Sequence, residues 1–132
     1  MKKSIYFIFI VLSLFSCSDS KVIVQYVLKN ATDENIVVER VETDIKKIVY
    51  TISPNTSELI YSTYLIDESY ENEEFNSLLS NINVSTNIDN ITYSIEKDSI
   101  SVLSKWIKSV SYDMGDQYIL YTKVIEPDMF NN

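Results

Sequence analysis

The stretch Val22-Ile23-Val24-Gln25-Tyr26-Val27-Leu28 decides the fold, because it is rich in the β-branched and aromatic residues that favour strands. Similar short stretches follow it, separated by polar turn residues, at 36–43, 46–52, 59–66, 82–86, 91–95 and 117–125. About seven short strands with turn signals at spacings of roughly 8–12 residues are typical of an antiparallel β-sandwich. We therefore predict a mainly all-β domain over residues 22–126.

The turns of this domain depend on asparagine and aspartate, because the chain holds a single glycine, Gly115. The segment 87–90, Asn-Ile-Asp-Asn, is predicted to close a hairpin, and 53–57, Ser-Pro-Asn-Thr-Ser, to close another turn. The residues 67–74 are predicted to form an acidic loop.

Two stretches have apolar residues at helical spacing, so one or two short helices are expected. In the first, the apolar positions are i, i+3, i+4 and i+7, occupied by Phe75, Leu78, Leu79 and Ile82. In the second, 99–110, one helical face would hold Ile100, Leu103, Ile107 and Val110. We predict a short helix over 99–110, with a loop as the alternative.

The start of the chain has a different character from the domain. Two lysines precede the almost wholly apolar run 5–15, which is too short to cross a bilayer core of about 30 Å. This order is typical of a secretory signal. The only cysteine of the chain, Cys17, closely follows this run, and the residues before it are Leu14, Phe15 and Ser16.

The segment Leu14-Phe15-Ser16-Cys17 resembles the lipobox of bacterial lipoproteins, although Phe15 is bulkier than the usual residue at its position. The resemblance implies cleavage before Cys17, a diacylglyceryl group on its sulfur and an acylated new amino terminus. It divides the chain into a signal peptide, 1–16, a lipidated tether, 17–21, the sandwich domain, 22–126, and a C-terminal tail, 127–132.

Three further segments extend the resemblance beyond the lipobox. They are the strand Val-Gln-Tyr-Val-Leu-Lys-Asn-Ala-Thr-Asp, the Ser53-Pro54-Asn55 turn and the closing strand Tyr118-Ile119-Leu120-Tyr121-Thr122. The chain resembles small lipoproteins of Bacteroidetes-type bacteria that carry one immunoglobulin-like sandwich. This resemblance implies a lipid-anchored protein of the cell envelope, at the outer membrane, facing either the periplasm or the surface. It implies no activity.

Composition excludes several classes of chemistry. The chain has no histidine, and its cysteine is the expected lipid attachment point, so Ser–His and Cys–His catalysis and the usual zinc sites are excluded. The formal net charge is −8, and cleavage of the signal would remove two further lysines, so nucleic acid is not an expected partner. We expect no enzyme activity and no cofactor beyond the covalent acyl groups.

The sequence favours a non-catalytic binding or structural module, with an envelope protein or a glycan as partner. Four aromatic residues are candidates for a ligand platform, although such residues are more often core: Trp106, Tyr61, Tyr64 and Tyr70. Asp98-Ser99-Ile100 also resembles an O-glycosylation sequence of the same bacterial group.

The alternative function is a small carboxylate-dependent hydrolase or a calcium-dependent binder that uses the acidic loop 67–74. Within that loop Glu71 and Glu74 are the candidate calcium ligands. The spacing of its carboxylates matches no calcium-loop motif, and the turn glycine of such motifs is missing, so a solvated acidic loop is the favoured interpretation.

Overall fold

The computed structural model describes residues 20–65 and 67–130. The predicted signal segment and the lipobox residues Leu14, Phe15, Ser16 and Cys17 lie outside this part of the chain. Within it, the strands are β1 (Val22–Asn30), β2 (Ile36–Thr43), β3 (Lys46–Ile52), β4 (Ser57–Leu65), β5 (Ile82–Ile88), β6 (Ile91–Ser94), β7 (Ile107–Asp113) and β8 (Asp116–Ile125).

The strands form two four-stranded sheets, sheet A in the order β4-β1-β8-β7 and sheet B in the order β3-β2-β5-β6. Among the described residues, eight strands in two sheets, with one helix and short 3-10 turns, confirm the predicted mainly all-β sandwich. Every pairing is antiparallel except that of β1 with β8, which is parallel. The strand order differs from the A-B-E-D and C-F-G sheets of an immunoglobulin domain, so the likeness lies in the two-layer architecture.

The core lies between the sheets and follows from the period-2 alternation of each strand. In β1, Val24, Tyr26 and Leu28 are fully buried. Their partners on β8 include Ile119 and Tyr121. Sheet B contributes buried residues from three strands, Ile36, Val38, Ile52, Ile82 and Val84. The core is therefore built mainly from β-branched and aromatic side chains, with four leucines among its buried residues.

The predicted acidic loop 67–74 is wrong for its second half. A 3-10 turn (Glu68–Tyr70) leads directly into helix α1 (Glu71–Ser80), whose first turn contains Glu71, Glu73 and Glu74. Negative side chains are favourable there because the amino end of a helix carries partial positive charge. As the helical spacing predicted, Phe75, Leu78 and Leu79 are the buried apolar residues of this helix.

The predicted helix over 99–110 is also wrong. The segment begins with the end of one 3-10 turn (Lys97–Ser99), continues through a second (Leu103–Lys105) and ends in strand β7. β7 pairs with β8 from Ile107↔Thr122 to Asp113↔Asp116. Pairing with a neighbouring strand outweighs the helical spacing of four apolar residues.

The turns use asparagine and aspartate as predicted. The β5–β6 hairpin closes over Asp89 (φ 52°) and Asn90 (φ 66°), and the β3–β4 turn contains Asn55 (φ 60°). These left-handed conformations suit short polar side chains. The β7–β8 turn uses Met114 (φ 49°) and the single glycine, Gly115 (φ 94°).

The first residues of the predicted C-terminal tail, as far as Phe130, pack against the sandwich. A 3-10 turn (Pro127–Met129) follows β8, and Phe130 forms a β-bridge with Ile95. Met129 and Phe130 pack against the core. Over residues 20–65 and 67–130, the structure contains no helix with the length and apolarity needed to span a membrane.

Candidate binding cavity

Asn30 fixes the end of the sandwich at which β1 finishes. Its side chain is fully buried. The Nδ2 atom donates hydrogen bonds to the backbone oxygens of Glu34 (2.7 Å) and Ile52 (2.8 Å). The Oδ1 atom accepts hydrogen bonds from the backbone nitrogen (2.9 Å) and the hydroxyl (2.7 Å) of Thr32. Both donors and the acceptor are therefore satisfied, and the 31–35 loop is held in one conformation.

A cavity of about 400 Å³ opens beside this loop. It is bounded by the loop, the β5–β6 hairpin and the segment after β8, through the residues Thr32, Asp33, Glu34, Thr86, Ile88, Tyr93, Pro127 and Phe130. The volume lies within the range of small-molecule sites, about 300–1,000 Å³. Three segments far apart in sequence thus meet in one concave site.

The chemistry of the cavity is apolar and acidic. Ile88, Tyr93 and Phe130 supply apolar and aromatic surface, while Asp33 and Glu34 are exposed carboxylates. None of its lining residues is basic. Carboxylates beside aromatic rings attract cations, through ion pairing and through the ring faces.

The hydroxyl groups in the cavity are committed to the protein. The Thr32 hydroxyl, which donates to Asn30 Oδ1, accepts a hydrogen bond from the backbone nitrogen of Glu34 at 3.2 Å, and the Thr86 hydroxyl donates to the backbone oxygen of Asn35 at 2.9 Å. Both threonines are buried, so they shape the floor of the cavity. The exposed groups left for a ligand are the two carboxylates and the rings.

The predicted aromatic platform is wrong for Trp106. Its side chain is 5% exposed, and its indole nitrogen donates to the backbone oxygen of Ile100 at 2.9 Å. Its ring packs edge-on against Phe75 and Tyr26, with centroid separations of 5.4 and 6.1 Å. Trp106 is therefore a core residue, and only its edge borders a shallow groove of about 290 Å³ that Leu103 and Lys108 also line.

The structure brings two of the three predicted tyrosines together and places Tyr61 apart from them. Tyr61 is half-buried, stacks on Tyr26 and has the guanidinium of Arg40 over its ring at 5.1 Å. Tyr64 and Tyr70 are exposed and share a shallow groove of about 260 Å³. The same groove is lined by Leu65, Glu73 and Glu74.

Glu71 is not available as a free ligand or catalytic carboxylate. It is 7% exposed. Its carboxylate accepts hydrogen bonds from the Tyr121 hydroxyl and from Lys108 Nζ, the latter at 3.1 and 3.2 Å. Glu74 accepts a hydrogen bond from the Tyr61 hydroxyl at 3.4 Å. Across the described residues, no three histidine, cysteine, aspartate or glutamate side chains are grouped to hold a metal ion.

These contacts shift the ionisation of the groups around Glu71. Burial, together with the hydrogen bond to Glu71, raises the pKa of Tyr121 to about 12. Burial also raises the pKa of Tyr26 well above its usual range. Burial alone would lower the pKa of Lys108, but its hydrogen bonds to Glu71 and Tyr121 outweigh that effect, and the pKa is raised. The cluster is thus held with a protonated phenol and a charged amine.

Sequence reasoning identified neither the cavity nor its organising residue. A signal for Asn30 was present, because the inward positions of β1 run Val24, Tyr26, Leu28 and then Asn30. A polar residue at the fourth inward position indicates a buried hydrogen-bonded group. The other candidate, Ser99, is partly exposed in its 3-10 turn.

Comparison of the chain with family models, with curated proteins and with solved structures finds no match.

Proposed function

We propose that the protein is a lipid-anchored lipoprotein of the bacterial cell envelope, at the outer membrane, that acts as a non-catalytic binding module. The Leu14-Phe15-Ser16-Cys17 lipobox supports the anchor, and the position of Val22, the first residue of β1, supports a short tether. The end cavity at Thr32–Glu34 is the proposed ligand site.

The position and charge of the cavity carry this proposal. β1 begins beside the tether and ends at Asn30, so its nine residues separate the tether from the cavity by about 30 Å. A site at that distance from the anchor point is accessible to a partner. The negative net charge of −8 favours approach of a cation. The ligand class is a basic side chain presented by an envelope protein.

A glycan is the second candidate, supported by the groove that contains Tyr64, Tyr70, Glu73 and Glu74. Aromatic faces beside carboxylates suit stacking and hydrogen bonding of a sugar. The carboxylate-dependent hydrolase is not proposed, because the Glu71 carboxylate is tied to Lys108 and Tyr121.

Calorimetric titration of the mature protein with short arginine- and lysine-containing peptides, with alanine-substituted peptides and with oligosaccharides tests the ligand class. We expect binding of basic peptides that weakens with salt. Tyr93→Ala and Glu34→Gln should each weaken it by about tenfold, or about 1.4 kcal/mol. The control Asp98→Asn removes an exposed carboxylate that is not among the lining residues and should leave affinity unchanged.

Binding of oligosaccharides that is lost in Tyr70→Ala and kept in Tyr93→Ala would instead assign the function to the groove. Equal binding by all variants, or none by the wild type, would contradict the cavity as the ligand site.

The anchor is tested separately by the intact mass of the protein extracted from membranes, wild type beside Cys17→Ser. We expect a mass equal to residues 17–132 plus two or three acyl chains, lost in the variant. An unmodified wild-type mass would contradict the anchor and leave a secreted domain with a free thiol.

A further inference from the structure

The outer face of sheet A, which points away from the core, carries many apolar residues where a sandwich usually exposes polar ones. Strand register and alternation place these residues on it: Ile23 and Val27 of β1, Leu59 and Tyr64 of β4, Tyr118, Leu120 and Val124 of β8, and Ile107 of β7. Tyr64 is 71% and Ile107 is 63% exposed. Gln25, Ser62, Ser109 and Ser111 lie among them, and Ile23 is itself buried, so the face combines apolar and aromatic residues with uncharged polar ones.

From Ile23 to Lys29, this face carries no carboxylate on β1 or on the residues level with it on β4, β8 and β7. The charged residue in this part of the face is Lys29. This is unusual in a chain with 19 acidic residues. The nearest acidic residues, Asp113 and Asp116, border it at the end where the tether enters. There the backbone nitrogen of Lys21 donates to Asp116 at 3.0 Å.

The outer face of sheet B differs in chemistry from that of sheet A. On it, valines lie beside charged and amide side chains. Glu39 lies opposite Val49 on β3 and opposite Asn83 on β5. It also forms an ion pair with Lys47 at 2.6 Å. The two faces of the sandwich thus expose different chemistry, and the carboxylate-free one belongs to the sheet that contains β1.

The tether brings this face close to the lipid. Cys17 precedes Val22 by five residues, which span at most about 18 Å when fully extended. β1 is an inner strand of sheet A, flanked by β4 and β8. An acylated Cys17 in the bilayer therefore keeps the outer face of sheet A within a short distance of the headgroups.

We infer that the outer face of sheet A rests on the membrane surface when the Cys17 anchor is inserted; this inference depends on the anchor of the proposed function. Tyr64 and Tyr118 have the apolar ring and polar hydroxyl that suit the headgroup region. The absence of carboxylates avoids repulsion from lipid phosphates, and Lys29 contributes a favourable charge. Lipid contact by the apolar side chains adds to the hold of the acyl chains.

A labelling experiment tests this orientation on the full acylated chain in phosphatidylcholine–phosphatidylethanolamine vesicles. Because Cys17 is the only cysteine and is consumed by the lipid, a second cysteine is a unique site for a fluorophore. Ser109→Cys places the label on the outer face of sheet A, and Asn83→Cys places it on the outer face of sheet B; both positions are exposed.

We expect a lipid-borne quencher to reduce the emission of the label at 109 and to leave that at 83 unchanged, and an aqueous quencher to do the reverse. Ile107→Ser should reduce the lipid quenching at 109. The matched control, Val110→Ser, alters a neighbouring exposed residue on the opposite face of the same strand. It should leave the lipid quenching at 109 unchanged.

The outcomes separate this inference from the proposed function. An acylated mass with equal quenching at 109 and 83 would overturn the orientation and leave the anchor intact. An unmodified mass would overturn both. Stronger lipid quenching at 83 than at 109 would show that the sheet B face meets the membrane, and would also overturn the inference.

Discussion

The ammonium nitrogen of Lys108 lies 3.1 Å from Oε1 of Glu71, and this ion pair joins the edge strand β7 to the first turn of helix α1. The Glu71 side chain is 10% exposed and that of Lys108 is 38% exposed. A charged group so deeply buried depends on its partners, because desolvation without compensation is costly.

Lys108→Ala should lower the free energy of unfolding by about 1–3 kcal/mol, because it leaves the Glu71 carboxylate with fewer hydrogen bonds. Lys47→Ala is the control, since it removes a surface pair with Glu39 worth about 0–1 kcal/mol. Urea unfolding of both variants measures the difference. Equal losses would show that the Glu71–Lys108 pair has no special weight.

Stability should fall at alkaline pH because of Tyr121. Its pKa is raised from 10.0 in the unfolded chain to about 12 in the fold by burial and by the hydrogen bond to Glu71. A raised pKa gives stability that is fully present below pH 10 and is lost as the pH rises through about 12. Urea unfolding between pH 9 and pH 12 measures this loss.

Tyr121→Phe should flatten that alkaline decline, since it removes the titrating hydroxyl. Tyr112→Phe is the matched control, because it removes a hydroxyl from an exposed ring on β7. A decline of the same slope in wild type and Tyr121→Phe would assign the pH dependence to other groups, Tyr26 first among them.

The sequence predicted well what depends on local pattern and poorly what depends on pairing between distant segments. The stretches 22–28 and 117–125 were correctly predicted to be strands from their β-branched and aromatic residues. The spacing of Ile100, Leu103, Ile107 and Val110 matched a helix by coincidence, because the ladder between β7 and β8 is decided by the partner strand. Alternation also could not foretell the parallel pairing of β1 with β8.

The cavity depends on tertiary structure even more strongly. It joins the 31–35 loop, the β5–β6 hairpin and the segment after β8, and no short window contains all three. The aromatic platform failed for the same reason, since composition does not distinguish the buried Trp106 from the exposed Tyr64.

The emission of the single tryptophan tests the position of Trp106. Because its ring is 5% exposed and its indole nitrogen is hydrogen-bonded to Ile100, we expect blue-shifted fluorescence and weak quenching by acrylamide. Addition of oligosaccharides should leave that emission unchanged. Red-shifted emission that responds to a glycan would restore Trp106 as a platform residue.

Asn30→Asp should strongly destabilise the end of the sandwich that holds the cavity. The change keeps the shape of the side chain but removes the Nδ2 donor to the backbone oxygens of Glu34 and Ile52, and places a carboxylate against both. Two lost buried hydrogen bonds and a buried charge should cost about 3–5 kcal/mol in the free energy of unfolding.

The control for this variant is Asn83→Asp, which makes the same chemical change at an exposed position of β5. It should cost less than about 0.5 kcal/mol, as surface substitutions usually do. Denaturant unfolding gives both values at neutral pH. At acidic pH the carboxyl group introduced by Asn30→Asp would be protonated and could donate one hydrogen bond, so the deficit should shrink as the pH falls. A small, pH-independent cost would show that Asn30 does not organise the 31–35 loop.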